Sequence, residues 1–112
     1  NQQFMNLSYL IQRFQRMEQL PDAYVCGNDW TALQIMHALQ YCGYMIPRDV
    51  SVLGFDNIAE AASAVPALST IDTPKEVLGQ AAANCVLQRL SDPQRPYVFI
   101  RYATRMITRD SL

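Results

Sequence analysis

The sequence predicts an α/β fold, a sheet of short strands layered with helices, and three observations carry that expectation. Segments with apolar residues at helical spacing alternate with short apolar β-type runs along the chain. Two of those runs, Tyr24-Val25-Cys26-Gly27-Asn28-Asp29 and Val50-Ser51-Val52-Leu53-Gly54-Phe55-Asp56-Asn57, end abruptly in a glycine and polar side chains. Half of the 112 residues are hydrophobic, enough to build a core for one small domain or part of a larger one. In open α/β sheets ligands bind beyond the carboxyl ends of the strands. The two polar-tipped strand ends therefore read as two sides of one small-molecule site.

Leu7, Leu10, Ile11, Phe14 and Met17 fall on one helical face, and Gln12, Arg13, Gln15 and Arg16 on the other. With Asn6 or Ser8 as a cap and Pro21 as a stop, this predicts a helix from Asn6 to Gln19, followed by a buried strand from Ala23 to Cys26. Asn28 or Asp29 caps a second helix that runs to Tyr41 and stops at Gly43. That helix carries two apolar stripes. Ala32, Ile35, Met36 and Leu39 form one; Trp30, Leu33, Ala38 and Tyr41, interrupted by His37, form the other. A surface helix needs only one apolar stripe, so the second is expected to meet another partner, such as a second subunit.

Pro47-Arg48-Asp49 turns the chain into a strand from Val50 to Phe55, whose continuous apolar character suggests cover on both faces. Ile58 to Val65 is alanine-rich and predicts a short helix, broken by Pro66-Ala67 before a third strand, Leu68 to Ile71. Thr73-Pro74-Lys75-Glu76 has the pattern of a capping box with proline in the first turn. The helix it opens is expected to bury Leu78, Ala81, Ala82, Cys85 and Val86 and to end at Ser91-Asp92-Pro93. Tyr97 to Tyr102 and Arg105 to Thr108 read as two final strands.

The composition excludes several classes. Lys+Arg total 9 against Asp+Glu 10, a net charge of -1, which is no footprint for nucleic acid. No apolar stretch approaches a membrane span. Cys26, Cys42 and Cys85 lack C-x-x-C spacing and sit among apolar residues, so they read as reduced, buried thiols in a cytosolic protein. With the single His37 they make no metal set, and no cofactor is expected. Neither a glycine-rich phosphate loop, a nucleophile elbow, a His-Glu metal motif nor an acid/base carboxylate pair is present, so no residues support an enzyme. The start, Asn1-Gln2-Gln3, shows neither Met nor signal peptide and reads as a mature product or a piece of a longer chain.

Asp56 follows a strand directly and suits either a ligand hydroxyl or a turn. Asn28 offers donors and an acceptor to a polar ligand, or an N-cap. Asp29 reads as a cap, His37 as a packing or interface residue, and Trp30 as a ligand-stacking or interface residue.

From Pro21 to Leu112 the sequence resembles the lactose- and purine-repressor family of bacterial transcription regulators. The shared features run in order: Pro21-Asp22-Ala23, Cys26-Gly27-Asn28-Asp29, Ala32-Leu33, Ala38-Leu39 and Gly43. They continue through Ile46 to Asn57, Pro66-Ala67-Leu68-Ser69-Thr70-Ile71, Pro74, Leu78-Gly79, and the close Arg105-Met106-Ile107-Thr108-Arg109-Asp110-Ser111. The resemblance implies a parallel-sheet, periplasmic-binding-protein-like (type I) fold. Residues 1–112 would be the C-terminal part of its effector-binding and dimerisation core, mainly the C-terminal lobe. The DNA-binding helix-turn-helix, the hinge and most of the N-terminal lobe would lie outside this sequence, and Thr73 to Ser91 would cross into the missing lobe.

By the same resemblance Asn28 and Asp56 stand where the family's strand-end polar residues hold the effector. Thr73 lies at the crossover beside the cleft, and Phe4 takes the place of a ligand-stacking aromatic. The dimer interface would use Leu33, Met36, His37, Ala61, Ala64 and Val65. The expected partners are a small effector (a sugar, ranked first, or a nucleoside or purine-like metabolite), a second copy of the chain, and operator DNA through the absent domain only, in the cytoplasm and without a membrane. The alternatives are a fragment of a periplasmic sugar-binding protein of the same fold and a freestanding interaction domain. The two-striped helix and unpaired cysteines favour the regulator.

Overall fold

The computed structural model describes residues 6–112. Phe4 lies outside the described residues. Two units divide the chain, one formed by residues 6–72 with Met106–Leu112 and the other by Thr73–Arg105.

The first unit opens with helix α1, Leu7–Gln15, capped by Asn6, whose side-chain oxygen accepts from the Ser8 amide at 3.0 Å. Leu10 and Phe14 are buried, while Leu7 is exposed. The helix stops at Gln15 rather than at the expected Gln19. Arg16 N–H donates to Arg13 O and Met17 N–H to Phe14 O, and these tighter bonds close the last turn. Strand β1, Ala23–Val25, comes next in the chain. Helix α2, Asp29–Tyr41, is capped by Asn28, one of the two caps the sequence offered, and ends in a Schellman turn. Tyr44 N–H donates to Leu39 O and Gly43 N–H to Gln40 O, with Gly43 at φ 85. That positive φ is the reason for glycine at the position. The first stripe of α2 (Ala32, Ile35, Met36, Leu39) is buried. Of the second, Ala38 is buried, Leu33 is half-buried, and Trp30 and Tyr41 are exposed.

Strand β2, Ser51–Phe55, helix α3, Ala59–Ser63, and strand β3, Ser69–Asp72, continue the unit. In the second unit helix α4 spans Lys75–Ser91. Strand β4, Arg105–Ile107, completes a four-stranded sheet in the order β1-β2-β3-β4. β1 and β3 both run parallel to β2, with Tyr24 beside Val52 and Gly54 beside Thr70. Val52, Gly54 and Thr70 share the face that packs toward α2 and are buried. The opposite face carries Val25, 79 % exposed, half-buried Leu53 and exposed Phe55. The expectation that β2 is covered on both faces is therefore corrected. Apolar continuity records what a strand can bury, whereas α1 and α2 supply cover on one side only. The core gathers Leu10, Phe14, Ile35, Met36, Leu39, Val50, Val52 and Leu68. Burying each such side chain contributes about 1.5–3 kcal/mol.

The second unit centres on α4, and the capping box expected at its start does not form. Pro74 occupies the cap position at φ -74, ψ 73 with no side-chain cap bond, which puts Glu76 one place too early to reach back. None of α4 is buried: Ala81 and Cys85 are half-covered, and Leu78, Ala82 and Val86 are exposed. Their expected burial needs an opposing layer, which this unit's described residues do not supply. Tyr97 to Tyr102 is likewise no strand, because an alternating run becomes one only when another strand pairs with it. Arg89 organises the segment beyond the helix. Its guanidinium donates to the carbonyls of Pro93, at 3.0 Å, and Arg95, and lies 4.6 Å from the centroid of the Tyr97 ring.

Candidate functional site

Parallel pairing brings the carboxyl ends of β1, β2 and β3 to one edge of the sheet. Cys26 N–H donates to Leu53 O at 2.8 Å, and Asp56 N–H donates to Ile71 O at 2.9 Å, so the three strands leave the sheet together. Asn28 and Asp56, predicted as ligand residues, therefore stand at neighbouring strand ends. Asn28 is extended, and its side-chain oxygen accepts from Thr31 N at 2.8 Å. The cap uses that oxygen and leaves the amide NH2 as the group able to donate to a ligand. Thr73 is the first residue of the second unit.

Asp56 is half-buried, with φ 108, and Asn57 comes after it at φ 51. Two consecutive non-glycine residues in the left-handed region cost roughly 1–2 kcal/mol each. The surroundings of the turn offset that strain. Asn57 N–H donates to Thr70 Oγ1 at 3.2 Å, Asn57 Nδ2 donates to Asp72 Oδ1 at 3.0 Å, and Arg109 Nη2 donates to Asn57 Oδ1 at 2.8 Å.

Beneath the turn lies Asp29, fully buried in the first turn of α2. Its Oδ1 accepts from Thr70 Oγ1 at 2.6 Å and its Oδ2 from Ile58 N at 2.9 Å. The helix start favours a negative charge there as well. Sequence reasoning took Asp29 for a cap, and it missed Thr70, Arg109 and Ser111 as parts of the same scaffold. Ser111 is fully buried. Its hydroxyl donates to Val52 O at 2.6 Å and accepts from Ser69 N at 2.8 Å, and its carbonyl accepts from Val52 N at 2.9 Å. Among the described residues, every buried side-chain nitrogen and oxygen has a partner. The one signal that could have exposed this network is Gly54. A glycine inside an apolar strand marks close approach by another group.

Of the six predicted interface residues, His37 and Val65 are exposed, and Leu33 and Ala64 are half-buried. Met36 and Ala61, at 2 % and 0 % exposed, belong to the core of the first unit. Burial leaves them little surface to offer a partner, and for Met36 the periodicity of α2 could not tell which stripe the sheet would take. Val65 lies near α2, because Gln40 Nε2 donates to Val65 O at 2.8 Å.

The three thiols are free. Burial, with help from the Asp29 carboxylate, pushes the Cys26 thiol up to about 11, so it stays protonated and unreactive at neutral pH. No helix among the described residues is long and apolar enough to cross a membrane.

Comparison with known proteins agrees with this arrangement. The family model for the periplasmic binding protein-like domain matches residues 1–112. The chain is 32 % identical over 102 residues to the HTH-type transcriptional repressor PurR of Aliivibrio salmonicida, covering 91 % of this chain and 31 % of that protein. It is 37 % identical over 92 residues to PurR of Salmonella arizonae, covering 82 % and 27 %. It therefore spans about a third or less of the length of these relatives. A LacI-family transcriptional regulator from Enterococcus faecium, solved with bound ribose, superposes with a TM-score of 0.80 at 28 % identity, covering 94 % of this chain and 38 % of that one. A matching family model over the whole sequence, repressors as relatives and a regulator as structural neighbour place the chain: it belongs to the periplasmic binding protein-like domain family, in the branch of the lactose- and purine-repressor regulators.

Proposed function

We propose that this chain is the effector-binding and dimerisation portion of a cytoplasmic transcriptional repressor that senses a small metabolite, with a sugar ranked first. The observation that carries the reading is the pair Asn28 and Asp56 at adjoining carboxyl ends of parallel strands, the second on a strained turn held by its own scaffold. A donor amide beside a carboxylate acceptor suits the vicinal hydroxyls of a sugar or of a ribosyl group. The bound ribose in the Enterococcus faecium regulator supports the sugar class, and the PurR relatives keep a nucleobase on the panel of candidates.

Operator DNA is read by a separate domain in this proposal, since a net charge of -1 provides no phosphate-binding surface. Regulation is allosteric: the effector binds one arrangement of the dimer more tightly than the other, and only that difference shifts the equilibrium. Leu33, His37, Ala64 and Val65 supply the accessible part of the dimer surface.

The test is calorimetric titration of the full-length regulator, wild type and Asp56→Ala, with a panel of sugars and nucleobases. A ligand whose binding weakens by about 2–3 kcal/mol in the variant supports the site, as loss of a charged hydrogen-bond partner requires. Equal binding to both proteins would reduce Asp56 to a turn residue.

A further inference from the structure

Asp56 and Asn57 both hold positive φ, and an Asp-Asn turn left to itself would relax from that geometry. Something must select it. The Asp56 amide is tied to Ile71 O, as an extension of the sheet ladder. Further restraints on the turn pass through Asn57 and the residue after it.

The side chain of Asn57 is held at both ends by groups of opposite character. Its carbonyl faces a guanidinium, at 2.8 Å from Arg109 Nη2, and its NH2 faces a carboxylate, at 3.0 Å from Asp72 Oδ1. A flipped amide would point donor at donor and acceptor at acceptor, so only one orientation satisfies both neighbours. Arg109 is itself fixed. Its Nη1 donates to Leu68 O at 2.7 Å and its main-chain N–H to Ser69 Oγ at 2.8 Å. The fork of the guanidinium thus spans the Leu68 carbonyl, just before β3, and the Asn57 amide at once, which the single head group of lysine cannot reproduce.

We infer that Arg109, acting through the Asn57 side chain, is the positioning residue that presets the Asp56 turn. Its bearing on ligand recognition rests on the reading of Asp56 as an effector contact; the positioning itself does not. The chain's distant 109–111 segment thereby reaches the carboxyl-end edge of the sheet through a side chain. Asn57 also ties the turn to Asp72, the last residue before the second unit begins.

The competing explanation is that Arg109 merely pins its own segment to the sheet through Leu68 O. Amide hydrogen exchange on the labelled chain separates the two. The Val52 amide, bonded to Ser111 O, reports anchorage of the segment, and the Asn57 and Ile58 amides report the turn. Arg109→Gln is expected to speed exchange at Asn57 and Ile58 at least tenfold and leave Val52 within twofold. Arg109→Lys should give an intermediate effect. In an Asn57→Gly background, where positive φ needs no help and the amide partner is gone, Arg109→Gln should add less than threefold at residues 57 and 58.

Three results would each overturn the inference: no acceleration at Asn57, Val52 loosening in step with Asn57, or the full tenfold effect persisting in the Asn57→Gly background. If Arg109→Gln does not fold, Arg109→Lys carries the same comparisons. Failure of the effector reading would appear separately, as equal ligand binding by wild type and Asp56→Ala, and would leave these exchange rates untouched.

Discussion

A β-carbon built on Gly54 would lie 2.0 Å from Oδ1 of Asp29, so the missing side chain of one residue is the space filled by the carboxylate of the other. Gly54 sits one residue before the end of β2 and Asp29 at the start of the helix packed over it. The carboxylate cannot step aside, because Thr70 and Ile58 hold its two oxygens.

Gly54→Ala is therefore expected to destabilise the fold by about 3 kcal/mol or more, at the upper end of overpacking costs. Denaturant unfolding measures it. In an Asp29→Ala background the same substitution should cost at least about 1 kcal/mol less, as residues in contact couple. Equal costs in the two backgrounds would mean that the strand relaxes away from the helix instead.

Asp29→Ala alone strands the Ile58 N–H and the Thr70 hydroxyl, each an orphaned group costing roughly 1–3 kcal/mol when buried. A loss of about 3 kcal/mol is expected in the unfolding free energy. Asp49→Ala, which removes an exposed carboxylate bonded to Arg48 and to the Met45 amide, should change far less.

Cys26 gives the pH dependence. Its folded-state pKa is raised to about 11, so the folded state holds its proton more tightly than the unfolded chain does. The sign is that of a raised group: the contribution is complete below the ordinary thiol pKa of about 8.5 and is lost as pH rises through the folded value. Stability should fall by roughly 3 kcal/mol across that alkaline window, and Cys26→Ala should remove most of this slope. An alkylating reagent should modify the half-buried Cys85 well before the buried Cys26, as mass spectrometry of timed samples would show.

Val65 is 84 % exposed, so Val65→Asp should leave monomer stability within about 0.5 kcal/mol. If the proposed dimer surface is right, self-association should weaken about tenfold or more, the equivalent of roughly 1.4 kcal/mol. Sedimentation velocity over a dilution series reads both species. Met36→Ala should do the reverse, costing about 2–4 kcal/mol of stability through a core cavity.

The elements most legible in the sequence were those whose signals are local. Asn28 with a helical period after it and Gly43 beyond Tyr41 mark both ends of the second helix, and caps act within a turn of the residues that make them. The strand ends at Asn28 and Asp56 were readable for the same reason. Signals that depend on distant neighbours misled. Tyr97 to Tyr102 has the residues of a strand but no partner to pair with. One local signal misled as well: Thr73 to Glu76 has the letters of a capping box but Pro74 in the cap. The polar scaffold under the site was invisible because its members, Asp29, Thr70, Arg109 and Ser111, meet partners some 40 residues or more away in the chain.

Ser111 lies at the centre of the first unit although Val52, its partner, precedes it by 59 residues. During synthesis a ribosome releases β1, β2 and β3 first, then all of Thr73–Arg105, and only afterwards the hydroxyl that bridges Val52 and Ser69. The second unit is thus an insertion that must be translated before the first can close. Nascent chains stalled just short of Ser111 should remain protease-sensitive in β2, and those extended well past it, so that Ser111 has left the exit tunnel, should resist. The order of emergence leaves the carboxyl-end edge of the sheet unfinished for as long as the insertion takes to make.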